Sequence, residues 1–169
     1  MDLSLYSTLL RRQLLDAVRR RDREALFSMT APEIRTSFGA GSDREDLLER
    51  WDELEWVLTR GGTFRNGMFW APYVYSTWPE SRDAFQYLAV VGDDVPLRAE
   101  PREDARDIAR LSYNLVKRVA ERDRWIEIET DDGTRGWLPE GSLRSPIGYR
   151  AGFDRPNGEW KLVAFVAGD

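Results

Sequence analysis

WIEIETDDGTRGWLPEGSL, residues 125–143, sets two tryptophans on either side of an Asp-Gly step. Trp125 opens an alternating run that reaches Thr130, Asp132-Gly133 interrupts it, and Gly136-Trp137-Leu138 resumes it. A two-residue Asp-Gly turn between alternating segments is a strong hairpin signal, because both turn positions adopt backbone angles that few other residues tolerate. Both tryptophans are therefore strand residues of one small sheet. Either they close a core or they floor a groove, and that choice decides what the protein can bind.

The same short periods and frequent turns extend outward from this hairpin. Upstream, TFRNGMFWA (63–71) reads as a hairpin on Asn66-Gly67, PYVYSTWPE (72–80) as an extended aromatic segment ending at Pro79, and AFQYLAVVG (84–92) as a strand. Downstream, YRAGFDRPNGEWKLVAFVAGD (149–169) is one more hairpin, turning at Asn157-Gly158. Before Gly61 the period is helical. Leu3, Tyr6, Leu10, Leu14 and Ala17 recur at spacings of three and four, on one face of a helix ending near Arg21. Asp22 is placed to cap a second helix through Met29, Pro32 to stop it, and EIRTSFG (33–39) to follow as a strand. Ser42-Asp43-Arg44-Glu45 has the form of a capping box, with a third helix carrying Leu47, Trp51, Leu54 and Leu58 on one stripe and stopping at Gly61. Trp56 lies opposite Leu47, so a second packed layer or a ligand must cover it. The fold class is α+β, N-terminal helices with a C-terminal β-hairpin around a strand-rich middle, and no low-complexity linker separates the parts.

Residues 88–144 resemble a bacterial Src-homology-3-like domain. The likeness rests on Val95-Pro96-Leu97-Arg98 with Pro101, on the apolar positions Ile108, Leu111, Val116 and Val119, on Trp125-Ile126-Glu127-Ile128, and on Gly136-Trp137-Leu138 after the Asp-Gly turn. Pro96 stands where a polar residue is common, and Glu100 where a glycine often precedes the proline; both departures fall in the loop that shapes the family's groove. The resemblance implies a small barrel whose relatives commonly bind cell-wall peptides or proteins. Within it Trp137 is expected in the core, Gly136 marks close backbone approach, and Trp125 stands equally between core and groove. The flanks resemble the start and end of a cone-shaped domain of the nuclear transport factor 2-like type. The implied layout is residues 1–87 as a helical or α+β region, 88–144 as the barrel, and 145–169 as a hairpin packing back on the N-terminal region.

Composition removes whole reaction classes. With no cysteine and no histidine, thiol nucleophiles, imidazole bases, Ser-His-Asp triads and the usual zinc sites are excluded. Lys117 and Lys161 are the only lysines, and neither stands beside an obvious nucleophile. The net charge of −5 opposes nucleic-acid binding, and Arg19-Arg20-Arg21, the one basic run, closes a helix where cations suit the dipole. No apolar run approaches the roughly 18 residues that span a bilayer, so no membrane insertion is expected. The resemblance favours the cell envelope or periplasm, although the chain shows no export signal.

Among candidate chemical groups, Asp43, Glu45, Asp46, Glu49, Asp52 and Glu53 read as a solvated helix surface, Asp131-Asp132 as a turn and not a calcium loop, and Gly61-Gly62 as a helix stop and not a phosphate loop. No catalytic residue, metal or cofactor is expected. The function read from the chain is a non-catalytic binding protein recognising a peptidoglycan peptide or a protein partner, with Arg98, Tyr113 and Trp125 as a groove on the barrel and Trp56, Trp70 and Tyr73 as further aromatic contacts. The alternative is a cone-like domain that binds or transforms a small molecule, with the barrel as lid. A pocket lined by Trp and Tyr with a buried carboxylate favours that alternative; an open aromatic groove favours the first reading.

Overall fold

The computed structural model describes residues 3–39 and 41–168, with side chains from Thr8 onward. The N-terminal part runs α1 (Leu3–Arg19), α2 (Arg23–Ser28), β1 (Thr30–Arg35), α3 (Trp51–Thr59), β2 (Thr63–Arg65), β3 (Met68–Ala71) and α4 (Tyr73–Thr77). Seven strands follow: β4 (Tyr87–Val90), β5 (Val95–Arg98), β6 (Asp107–Leu111), β7 (Leu115–Arg122), β8 (Trp125–Glu129), β9 (Arg135–Pro139) and β10 (Leu143–Arg144). The chain ends with β11 (Arg150–Asp154) and β12 (Lys161–Val166). The architecture is mixed α+β with two sheets. One compact unit combines the residues up to Thr77 with those from Ile147 onward; the other is Trp78–Pro146.

In the first unit, α1, α2 and α3 pack on one face of a five-stranded sheet of order β1-β12-β11-β3-β2. Leu10, Leu14 and Val18 of α1 and Leu54, Val57 and Leu58 of α3 join Phe69, Phe153, Leu162 and Phe165 of the sheet in one buried cluster. The side chains of Leu3 and Tyr6 lie outside the described residues. α1 ends because Arg21 turns to φ 52°, Arg21 N–H donating to Val18 O at 3.0 Å and Asp22 N–H to Ala17 O at 2.9 Å, a Schellman closure. Asp22 then caps α2 by accepting from Ala25 N at 3.0 Å. Arg19 and Arg21 pair with Glu55 and Asp52 of α3, each at 2.9 Å, and Arg11 donates to the terminal carbonyls of Leu58 and Arg60. The basic run and the acidic helix thus satisfy each other.

Three readings of this region change. Pro32 does not stop α2, which is capped at Met29; it lies within β1, an edge strand, where its missing N–H costs no ladder bond. The capping residue before the third helix is Asp43, not Ser42: Asp43 accepts from Glu45 N at 3.1 Å while the Asp46 carboxylate accepts from Asp43 N at 3.2 Å. Ser42 instead accepts from Thr36 N at 3.1 Å. The capped segment, Arg44–Glu49, winds as a 3-10 turn, and α3 starts only at Trp51. The aromatic stretch expected to be extended contains α4, anchored where Tyr73 N–H donates to Gly61 O at 2.5 Å, so a tertiary bond overrides the strand preference of Tyr and Val.

The second unit is a seven-stranded antiparallel sheet of order β10-β4-β7-β8-β9-β5-β6 around Leu88, Val90, Leu97, Leu111, Val116, Ile126, Ile128, Leu138 and Leu143. Among the described residues no ladder joins β6 to β10, so the expected barrel is not closed. The end strand β10 is two residues long and pairs only with β4 among the described residues. The Asp132-Gly133 turn is wider than two residues, since Glu129 pairs with Arg135 and Thr130 N–H reaches Thr134 O at 3.0 Å. Val119 sits at a register shift in β7 and is exposed instead of packed. Asn66-Gly67 is the two-residue turn expected, with both φ positive.

Two consequences are measurable. Deleting residues 149–169 removes β11 and β12, the strands under the helices, so the far-ultraviolet helical signal of the shortened chain should collapse; full retention of that signal would refute this packing. Asp46 is held below the ordinary carboxylate value, first by the Thr36 hydroxyl and then by the Asp43 N–H. Its ionised form therefore stabilises the fold above the ordinary value, and the benefit disappears as pH falls through the lowered one. Thr36→Val should raise the Asp46 titration seen by NMR, and the melting-temperature gap between variant and parent should shrink in acid.

Candidate functional site

Strand alternation in the second unit decides which side chains are available. On β8, Ile126 and Ile128 are buried, and their partners on β9 are Leu138 and Gly136. The intervening residues face the other way, so Glu127 stands directly opposite Trp137 and Trp125 opposite Pro139. Trp137 is therefore half-buried on the outward face and does not fill the core, contrary to the sequence-based expectation. Alternation puts Trp137 on the face opposite Gly136 and Leu138, but the sequence does not say which of the two faces is inward. Gly136 is explained by close approach, because a Cβ there would come within 2.8 Å of the Arg98 carbonyl oxygen and 2.7 Å of the Leu97 and Ile108 side chains.

The outward face combines aromatic surface with charge. Trp125 and Trp137 are diagonal neighbours, a relation of roughly 7–8 Å that long aromatic side chains can span. Glu127 completes the triangle, and among the described residues it has no hydrogen bond or ion pair. Arg122, opposite Trp125 on β7, is exposed and likewise without an ion pair among the described residues. Arg98 flanks Trp137 on β5, but its guanidinium is already engaged by Asp107 and by the Ala105 carbonyl at 3.1 Å. At the rim, Asp132 is held below the usual carboxylate range, chiefly by the Thr130 hydroxyl and then by the Thr134 N–H, which fixes the β8–β9 loop.

Tyr113 is exposed, with φ 58°, in the turn after β6. It stands past the opposite end of β6 from Asp107, the partner of Arg98, so Arg98 and Tyr113 do not converge on one row with Trp125. The remaining three predicted contacts belong to the first unit. Trp56 packs against the helical core with the Arg60 guanidinium 4.9 Å above its ring. Trp70 lies on the sheet face away from α1 and α3, meeting Tyr75 of α4 edge-on at 5.0 Å, and Tyr73 opens α4. The partner of Trp70 is thus Tyr75, a residue the chain alone did not single out. The broader aromatic cluster divides: Phe64 and Phe69 pack edge-on at 5.3 Å toward Trp160 and Phe153, while Trp78 donates to Arg82 O at 2.8 Å in the second unit.

Among the described residues no group of three His, Cys, Asp or Glu side chains is placed to hold a metal ion, and no helix is long and apolar enough to cross a membrane.

Residues 91–145 match the family model of the bacterial SH3 domain, which confirms the resemblance read over residues 88–144 and covers about a third of the chain. No curated protein matches. Among solved structures, a conserved protein from Planctomyces limnophilus is 12% identical over 96% of this chain and 92% of its own, with a TM-score of 0.36. A five-substitution variant of Rd1NTF2_05, a nuclear transport factor 2-like design, is 13% identical over 99% of this chain and 100% of its own, with a TM-score of 0.37.

The burial pattern separates neighbouring residues on one strand. Leu138 is fully buried, so Leu138→Ala should cost about 2–5 kcal/mol through the cavity it leaves. Trp137→Ala should cost about 1 kcal/mol despite removing more atoms. Equal losses in chemical denaturation would show that Trp137 belongs to the core after all.

Proposed function

We propose that the second unit is a non-catalytic recognition module for a short peptide bearing both amine and carboxylate groups, with cell-wall peptide as the leading class. The observation that carries this reading is the Trp125-Glu127-Trp137 triangle on the outward face of a stretch that matches the bacterial SH3 family. A domain of that family is a binding module in general terms, and the chemistry of this face narrows its ligand. Aromatic faces attract an ammonium through the ring quadrupole, and a carboxylate between them supplies the countercharge. Arg122 offers the complementary contact for a peptide carboxylate, in a bidentate geometry. The first unit, read as a cone of the nuclear transport factor 2-like type, carries this module between Thr77 and Ile147. Support for that reading is its helix order and the C-terminal hairpin at the middle of its sheet.

The competing view, a catalytic pocket in the first unit, has less support. Trp70 and Tyr75 border a hollow there, but the buried charge beside them is Arg150, and among the described residues the lining includes no carboxylate to act as a base.

Sedimentation with purified peptidoglycan, followed by titration of an amine-bearing stem peptide, tests the proposal. The parent protein should co-sediment, and Glu127→Gln and Trp125→Ala should each weaken binding roughly tenfold while leaving the melting temperature within a few degrees. Co-sedimentation unaffected by either substitution would remove this face from recognition. Binding of a folded protein partner, but of no cell-wall fragment, would keep the module and discard the ligand class.

A further inference from the structure

The outer face of the first unit's sheet contains one cross-strand row with an unusual size pattern. Arg35 on β1 pairs with Ala164 on β12, Ala164 with Gly152 on β11, and Gly152 with Trp70 on β3. A cation and the largest aromatic side chain therefore face each other across the two smallest residues. The middle of the row is left low. Gly152 cannot be larger, since a Cβ there would come within 2.8 Å of the Trp70 ring, which lies against the glycine. The resulting hollow, about 380 Å³, is walled by Phe38, Met68, Tyr75, Val163 and Val166. That volume falls within the range of roughly 300–1,000 Å³ typical of small-molecule sites.

The charged residues among the described lining of this hollow are two arginines, Arg35 and Arg150. Arg150 is 5% exposed and held between two rings, 4.4 Å from Tyr75 and 5.5 Å from Phe38, with its Nη1 donating to Gly168 O at 3.0 Å. Arg35 is exposed and, among the described residues, its guanidinium has no hydrogen bond or ion pair. Among the described residues no aspartate or glutamate lines the space. We propose that this hollow is a binding site for a small apolar molecule carrying one carboxylate, whose oxygens pair with the Arg35 fork while its body lies on Gly152 between Trp70 and Val166. Arg150 is already engaged, in part by the Gly168 and Gly148 carbonyls, and contributes its field. One open guanidinium fork matches the two oxygens of a carboxylate; a phosphate would leave an oxygen and excess charge against apolar walls. This site is separate from the peptide-recognition face and does not depend on it.

Calorimetric titration of the full chain with benzoate, 4-phenylbutyrate and decanoate, each beside its primary amide, tests the assignment. At least one acid should bind, roughly tenfold or more tightly than its amide. Arg35→Gln should abolish that preference without changing the melting temperature, since Arg35 is exposed. Val163→Phe, which fills the hollow from a half-exposed position, should abolish binding of acid and amide alike. The proposal is overturned if none of the acids binds at millimolar concentration, if amides bind as well as acids, or if the preference survives Arg35→Gln. Binding that persists in Val163→Phe overturns the location, and tighter binding of phenyl phosphate than of the acids overturns the carboxylate assignment.

Discussion

The placement of β12 is the constraint on which the first unit depends. This strand lies between β11, its hairpin partner, and β1, to which it runs parallel from the far end of the chain. Leu162 N–H donates to Met29 O at 3.0 Å, and Lys161 Nζ donates to Ser28 O at 2.8 Å across 133 positions of sequence. Closing so long a loop is less costly than its length suggests, because each doubling adds only about 0.6 kcal/mol of entropy. The return is a strand that serves both faces. Leu162 and Phe165 enter the helical core, whereas Val163, Ala164 and Val166 line the hollow on the other side. A register slip of one residue would exchange those faces and lose core and hollow together.

Alternation has the same authority in the second unit. Inward burial of Ile126, Ile128 and Leu138 compels Trp125, Glu127 and Trp137 outward. The face proposed for recognition is thus the reverse side of the core, and neither can be moved without the other. Such coupling gives a recognition surface rigid backing, since its side chains stand on paired strands and not on a mobile loop.

Arginine supplies most of the positive charge, and much of it is spread over aromatic rings. Arg23 and Arg44 both stand 4.9 Å from Phe27, Arg82 lies 4.7 Å from Tyr87, and Arg50 lies 4.9 Å from Tyr149. Planar, weakly hydrated guanidinium groups stack in this manner where ammonium groups would remain in water. The scarcity of lysine agrees with that use, and Arg35 and Arg122 are among the arginines with no such ring contact among the described residues.

The chain by itself determined much of its local structure and the likeness of one stretch to the bacterial SH3 domain. The spacing of Leu10, Leu14 and Ala17, the Asp22 cap, the Asn66-Gly67 turn and the bacterial SH3 pattern are all readable without coordinates, because each depends on residues a few positions apart. The α+β class was equally legible from the change of period. Tertiary structure alone decided which face of a strand meets the core, which is why Trp137 was misplaced and Glu127 overlooked. It also decided that Tyr73–Thr77 is helical, through a bond from Tyr73 to the distant Gly61. The hollow was least visible of all, since Arg35, Ala164, Gly152 and Trp70 come from four strands scattered along the chain. Period and turn chemistry are local properties, but a site is a set of cross-strand neighbours, and only strand order and register bring those neighbours together.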